Sequence, residues 1–168
     1  VWTEVIEEKQ AEEIIELFGI KFGEKCIDST SDKYRTKGKV PNKLFKEHIV
    51  YCTSITKRVW KISTNNFFES EKLNEFIMCR NSLRALEKHF SEKYGVKLNI
   101  TTDRDYEYKV QSNDTNDMHN KVEMMCTRIG TGKNFSSVDL RLIVTNLKMI
   151  SEKKKEDLQI SIIDKKGI

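Results

Sequence analysis

Ser137-Val-Asp-Leu-Arg-Leu-Ile-Val-Thr-Asn-Leu-Lys-Met-Ile150 is the stretch on which the fold turns. Leu140, Ile143, Val144, Leu147 and Ile150 recur every three to four residues, the spacing that gathers side chains on one side of a helix. Ser137 stands where a helix cap belongs. A helix here, followed by a short strand through Leu158, Ile160 and Ile162, makes the chain predominantly helical.

The rest of the sequence extends that reading. A long helix is expected from Ser70 to Gly95, with Leu73, Phe76, Ile77, Leu83, Leu86, Phe90 and Tyr94 along one side. A first amphipathic helix is expected over residues 4–18, ending at Gly19. Pro41 would open another, carrying Leu44, Phe45, His48, Ile49, Cys52 and Ile55. Between these lies a polar loop, residues 29–42, and residues 111–117 form a second. Val96, Leu98 and Ile100, then Tyr106, Tyr108 and Val110, alternate about a TTDRD turn and predict a β-hairpin. Residues 121–129 add a possible strand. The expected fold is α+β, predominantly helical with a β-hairpin and short strands, in a single compact domain over residues 1–168.

At 168 residues, with 38% hydrophobic and 33% charged content, the chain suits one globular core and lies outside the disordered regime. It lacks an initiator Met and reads as a fragment of a longer chain. No apolar run reaches the roughly 20 residues needed to cross a bilayer, so no membrane role is expected. Cys26, Cys52, Cys79 and Cys126 are widely spaced, which predicts buried free thiols in a reducing compartment. Neither the cysteines nor His48, His89 and His119 show ligand spacing, so neither a metal nor a cofactor is expected.

Charge is unevenly distributed. Residues 1–32 carry nine acids against Lys9, Lys21 and Lys25, whereas residues 33–61 carry nine bases against Glu47 alone. Residues 118–155 carry eight bases against three acids. Two basic regions that meet in the fold would attract a polyanion. Trp60 closes the run Lys57-Arg58-Val-Trp-Lys61, and Tyr34 and Tyr51 lie in or near the same region. Rings among cations suit unpaired bases, which stack while the cations hold phosphate. Core packing is the competing reading of Trp60.

Arg128-Ile-Gly-Thr-Gly-Lys133 has the glycines and lysine of a phosphate-binding turn, but Thr127 and Asn134 break the nucleotide-hydrolase pattern. Asp103, Glu107 and Lys109 are spaced like the acids and lysine of a metal-dependent nuclease. The polar side of a hairpin strand explains the same residues without catalysis. The chain is therefore expected not to be an enzyme. A nuclease and a protein-interaction or oligomerisation module stand as alternatives.

Three blocks resemble one family, the N-terminal RNA-binding domain of rotavirus non-structural protein three. Leu17-Phe-Gly-Ile20 is similar to its Leu-Met-Gly-Ile near the end of the first helix. Thr53-Ser-Ile-Thr-Lys-Arg-Val-Trp60 resembles Ser-Ala-Ile-Arg-Asn-Arg-Asn-Trp, and Cys126-Thr-Arg-Ile-Gly-Thr-Gly-Lys133 resembles Val-Lys-Arg-Ile-Pro-Gly-Lys. Thr56 replaces the family's second arginine, the proline near Gly130 is lost, and residues 96–117 are longer, as in a divergent group. The resemblance implies a homodimer in the host cytoplasm that binds the 3′ end of viral mRNA, single-stranded RNA, and so promotes viral translation. A region beyond this chain would engage the host translation-initiation scaffold. It implies RNA contacts at Arg58, Trp60, Arg128 and Lys133; the charge pattern adds Lys57, Lys37, Lys39, Lys43 and Lys46.

Overall fold

The computed structural model describes residues 10–27, 30–36, 47–69, 73–112, 118–131 and 134–166. Of these, 46% are in strands and 31% are helical, so the expectation of a predominantly helical chain is overturned. The chain forms β1 (Glu16–Leu17), β2 (Ile20–Lys21), β3 (Lys33–Thr36), β4 (Glu47–Cys52), β5 (Val59–Glu69) and α1 (Leu73–Tyr94). There follow β6 (Leu98–Arg104), β7 (Glu107–Ser112), β8 (Asn120–Thr131), β9 (Asn134–Asn146) and α2 (Leu147–Lys165). Strands β3 to β9 make one antiparallel sheet in the order β3-β4-β5-β9-β8-β7-β6.

β9 explains the reversal. Val138, Leu140, Leu142 and Val144 are fully buried, while of the residues between them Arg141 and Ile143 are only partly buried and Asp139 keeps 7% exposure. That is a two-residue period, and the β-branched Val138, Ile143, Val144 and Thr145 fit a pleated surface better than a helix. Leu140 and Val144 also satisfy helical spacing. Leu142 does not, and its burial separates the two patterns. The helix begins only at Leu147, where the Asn146 side chain accepts from the Met149 amide at 3.1 Å. It runs on through Leu158 and Ile162, where a strand was expected.

β4 corrects a second helix. His48, Val50 and Cys52 are buried while Glu47 is exposed and Ile49 and Tyr51 are half-buried, again a two-residue period. The start of that expected helix at Pro41 lies outside the described residues, as do Ser70, residues 113–117 and the first part of the expected N-terminal helix. Residues 10–15 of that N-terminal segment form no helix, and β1 and β2 form a hairpin. Phe18 (φ 55°) and Gly19 (φ 81°) are its two central residues, both in the left-handed region that a tight hairpin turn requires. Lys33–Thr36, expected in a loop, is the edge strand β3.

Other expectations hold. α1 spans the long helical stretch, and the amide of Gly95 (φ 67°) donates to the Ser91 carbonyl at 2.9 Å to end it. The hairpin of β6 and β7 is present, with its turn at Asp105 and Tyr106 rather than over residues 101–105. β8 fulfils the strand expected at 121–129.

α1 packs on β8 and β9 and so defines an inner side of the sheet. Val50, Ile62, Val110, Val122, Met124, Leu140, Leu142 and Val144 are buried there with Phe76, Leu83 and Phe90 of the helix. Each such side chain contributes about 1.5–3 kcal/mol by leaving water. Tyr108 Oη donates to Glu87 Oε1 at 2.9 Å and ties β7 to α1. The N-terminal segment closes the end of this core: Asn120 Oδ1 accepts from the Ile14 amide at 2.8 Å, and Ile14, Leu17 and Ile20 are buried.

The expected free thiols are absent, since all four cysteines are paired. Cys26 bonds Cys52 and Cys79 bonds Cys126, with Cα separations of 6.5 and 6.1 Å. Spacings of 26 and 47 residues gave no sign of pairing. Strand order and the seating of α1 on β8 bring the partners together.

Candidate nucleic-acid interface

The opposite side of the sheet carries the residues of interest. Tyr51 of β4 stands across from Lys61 of β5, and Cys52 stands across from Val59. Trp60 is therefore the extra residue of a β-bulge, placed beside Lys61 opposite Tyr51. The Tyr51 and Trp60 rings meet edge to face with centroids 6.0 Å apart. Lys61 Nζ lies 4.1 Å from the Tyr51 centroid and 5.0 Å from that of Trp60. A second ammonium, that of Lys153 on α2, also lies 5.0 Å from the Trp60 centroid.

Local structure fixes this arrangement. α2 docks on the turn between β4 and β5 through Glu156, whose Oε1 accepts from the amides of Ile55 (2.6 Å) and Thr56 (2.8 Å). Glu156 Oε2 accepts from Thr56 Oγ1 at 2.8 Å, and Ser54 Oγ donates to Asp157 Oδ1 at 3.0 Å. One helical turn earlier, Lys153 then falls over Trp60, with Nζ 2.7 Å from Asp157 Oδ2. Lys33 of β3 is paired with Tyr51 on the far side of β4, about 10 Å from Lys61 by strand spacing.

Burial holds the Lys61 ammonium below the ordinary lysine range; Glu123 works against that shift and Lys153 reinforces it. Two cations thus share one half-buried indole ring and repel each other. An anion seated between them would remove that repulsion. Cation and ring together are what a phosphate carrying a stackable base requires.

The residues expected from sequence do not all gather here. Trp60 does, as neither a fully buried core residue nor a free ring. Arg58 is exposed, its Nη1 donating to the Gly23 carbonyl at 3.0 Å. Lys57 is ion-paired with Asp32 at 2.6 Å. Arg128, paired with Val138, lies on the α1 side of the sheet and donates from Nη1 to the Asp105 carbonyl at 3.4 Å. Lys37, Lys39, Lys43, Lys46 and Lys133 lie outside the described residues. Lys153 was missed because nothing in the sequence links it to Trp60. Lys61 and Tyr51 were visible in the basic aromatic run, yet only strand register shows them to be opposite one another.

The nuclease arrangement is divided between the two sides of the sheet. Asp103 is paired with the inward Tyr108 and meets Arg80 of α1 at 3.4 Å. Glu107 and Lys109 lie on the other side, ion-paired with each other at 2.9 Å. An interaction module would need an apolar surface, and Leu158, Ile162 and Ile163 of α2 are exposed.

Compared with models of known protein families, with curated proteins and with solved structures, the chain matches none. Two of the blocks that resemble the rotavirus domain also take other conformations here. Leu17-Phe-Gly-Ile20 is a hairpin turn, and Cys126–Thr131 is the end of β8, with a strand rather than a helix beginning at Asn134.

Proposed function

We propose that this chain is a binding domain for single-stranded RNA, with Lys61 and Lys153 holding phosphate and the Trp60 and Tyr51 rings meeting bases. The observation that carries the reading is the pair of ammonium groups on one half-buried indole. Lys33 offers the next cation along the strand-to-strand direction, so a chain with regular charges fits better than an isolated phosphate. The viral 3′ end, the homodimer and the translation partner rested on the family resemblance, and the sheet adds nothing in their favour.

The test is fluorescence anisotropy of a labelled, unstructured RNA 12-mer at several salt concentrations. Each phosphate contact adds about −0.7 to the slope of log K against log salt, so Lys61→Gln with Lys153→Gln should flatten the line by about 1.4 and weaken binding. Trp60→Leu should weaken binding without changing the slope. Unaltered affinity in the folded double variant refutes the site. Competition by a sulfated polysaccharide as effective as that by RNA would reduce the reading to charge alone.

A further inference from the structure

We propose that Asn99 is an acceptor site for an N-linked glycan, and that this chain folds in an oxidising, lumenal or extracytoplasmic compartment. The inference does not depend on the RNA reading. It rests on two independent features of the molecule.

The first is the use of cysteine. All four cysteines of the chain are consumed in two disulfides, and each of the four is buried. Cys26–Cys52 ties the N-terminal segment to β4, and Cys79–Cys126 ties α1 to β8. Both bonds therefore fasten elements on the α1 side to the sheet, where a structural role is served. Bonds of this kind persist where the environment is oxidising and are rare where glutathione and thioredoxin keep thiols reduced.

The second is a glycan acceptor motif, an asparagine followed two residues later by serine or threonine. It occurs at Asn99-Ile-Thr101, Asn113-Asp-Thr115 and Asn134-Phe-Ser136. Asn99 has the placement that modification needs. It lies on β6, the last strand of the sheet order, so among the described residues one side of that strand has no neighbour in the sheet. Asn99, Ile100 and Thr101 are all exposed, although a regular strand turns alternate residues under. Ile100 is paired with Val110 and Thr102 with Lys109, so Thr101 is the extra residue of a bulge. Its hydroxyl donates to the Lys109 carbonyl at 3.3 Å.

The reaction requires a polyprenyl-diphosphate-linked oligosaccharide and the transferase of that compartment. Asn99 Nδ2 forms a bond to the anomeric carbon, the bond from that carbon to the diphosphate oxygen breaks, and the polyprenyl diphosphate leaves. One amide proton passes to a base, and nothing is oxidised or reduced. A glycan on β6 would also block pairing of this edge with a second chain, which bare edge strands invite. β7, β8 and β9 separate it from Trp60 on β5, so the proposed RNA corner would stay open.

The chain should be expressed behind a secretion signal in a eukaryotic cell, and the total product, retained or secreted, mapped by mass spectrometry before and after peptide N-glycosidase. Modified Asn99 is expected, lost in Asn99→Gln and Thr101→Ala and kept in Thr101→Ser, which preserves the motif if the other variants fold poorly. Glycan found only at other positions, or retained in Thr101→Ala, overturns the site. Denatured without reduction, the lumenal product should take up iodoacetamide at none of the four cysteines. A chain made in a reducing cytosol should have reactive thiols and a lower melting temperature. Free thiols in the lumenal product, or equal melting of the two products, overturns the compartment.

Discussion

The Lys61 ammonium stands 4.1 Å from the centre of the Tyr51 ring, directly across the β4–β5 pairing. This contact holds one wall of the proposed RNA corner in place before any ligand arrives. A cation over a ring at a partly exposed site contributes about 0.5–1 kcal/mol. A double-mutant cycle with Lys61→Ala and Tyr51→Leu, read by urea denaturation, should give a coupling energy of that size. Additivity within error would mean that Lys61 is not held by the ring and is free to follow a ligand.

Glu156 anchors α2 and so sets where Lys153 lies. Its burial raises the carboxyl's proton affinity, but hydrogen bonds from Thr56 and Ile55 prevail and hold it below the ordinary carboxylate range. A carboxylate with a lowered folded value stabilises the native state above its unfolded value, about 4.3, and the contribution is lost as pH falls through the folded value. Glu156→Gln should therefore cost about 1–3 kcal/mol at neutral pH. The difference from the parent chain should shrink towards zero in acid, as measured by denaturant midpoints between pH 7 and 3. A difference that is the same at every pH would show that the charge of Glu156 is not what matters.

The legible parts of this fold were those in which sequence spacing admits one answer. α1 has 22 residues of three-to-four spacing and a terminal glycine, and the β6–β7 hairpin alternates cleanly. β9 was misread because Leu140, Ile143 and Val144 fit a helix as well as a strand, and only its neighbours β5 and β8 decide the matter. α2 was misread for the opposite reason. Its docking side is polar, with Glu156 as its buried residue, so no apolar stripe marks it as a helix resting on a protein. The site followed suit. Trp60 was visible as an aromatic in a basic run, whereas its partners depend on a bulge and on a contact 93 residues away in sequence, from residue 60 to residue 153. The disulfides likewise depend on tertiary placement and on no local motif.

His48 provides the last prediction. Its imidazole is fully buried on β4 and stacks on the Phe18 ring, with centroids 4.6 Å apart and planes 3° from parallel. Neither ring nitrogen has a hydrogen-bond partner among the described residues, and burial pushes the proton affinity of the ring below that of an ordinary histidine. Protonation would place a charge against Phe18 with no acceptor among the described residues to receive it. The unfolded chain takes up this proton near its ordinary value of about 6.5, while the native chain resists. Stability should therefore fall as pH drops below about 6.5 towards the folded value, at up to about 1.4 kcal/mol per pH unit. The Glu156 contribution is intact in this window and is lost only at lower pH. His48→Phe keeps the stack and removes both the titration and the two unsatisfied nitrogens. It should be at least as stable as the parent at pH 7.5, and its melting temperature should change little between pH 7 and pH 5. A parent chain with equal stability at pH 7 and pH 5, or a His48→Phe variant with an unchanged acid slope, would show that the buried imidazole does not govern this limb. The ring stack that holds the β1–β2 turn against β4 would then be insensitive to pH.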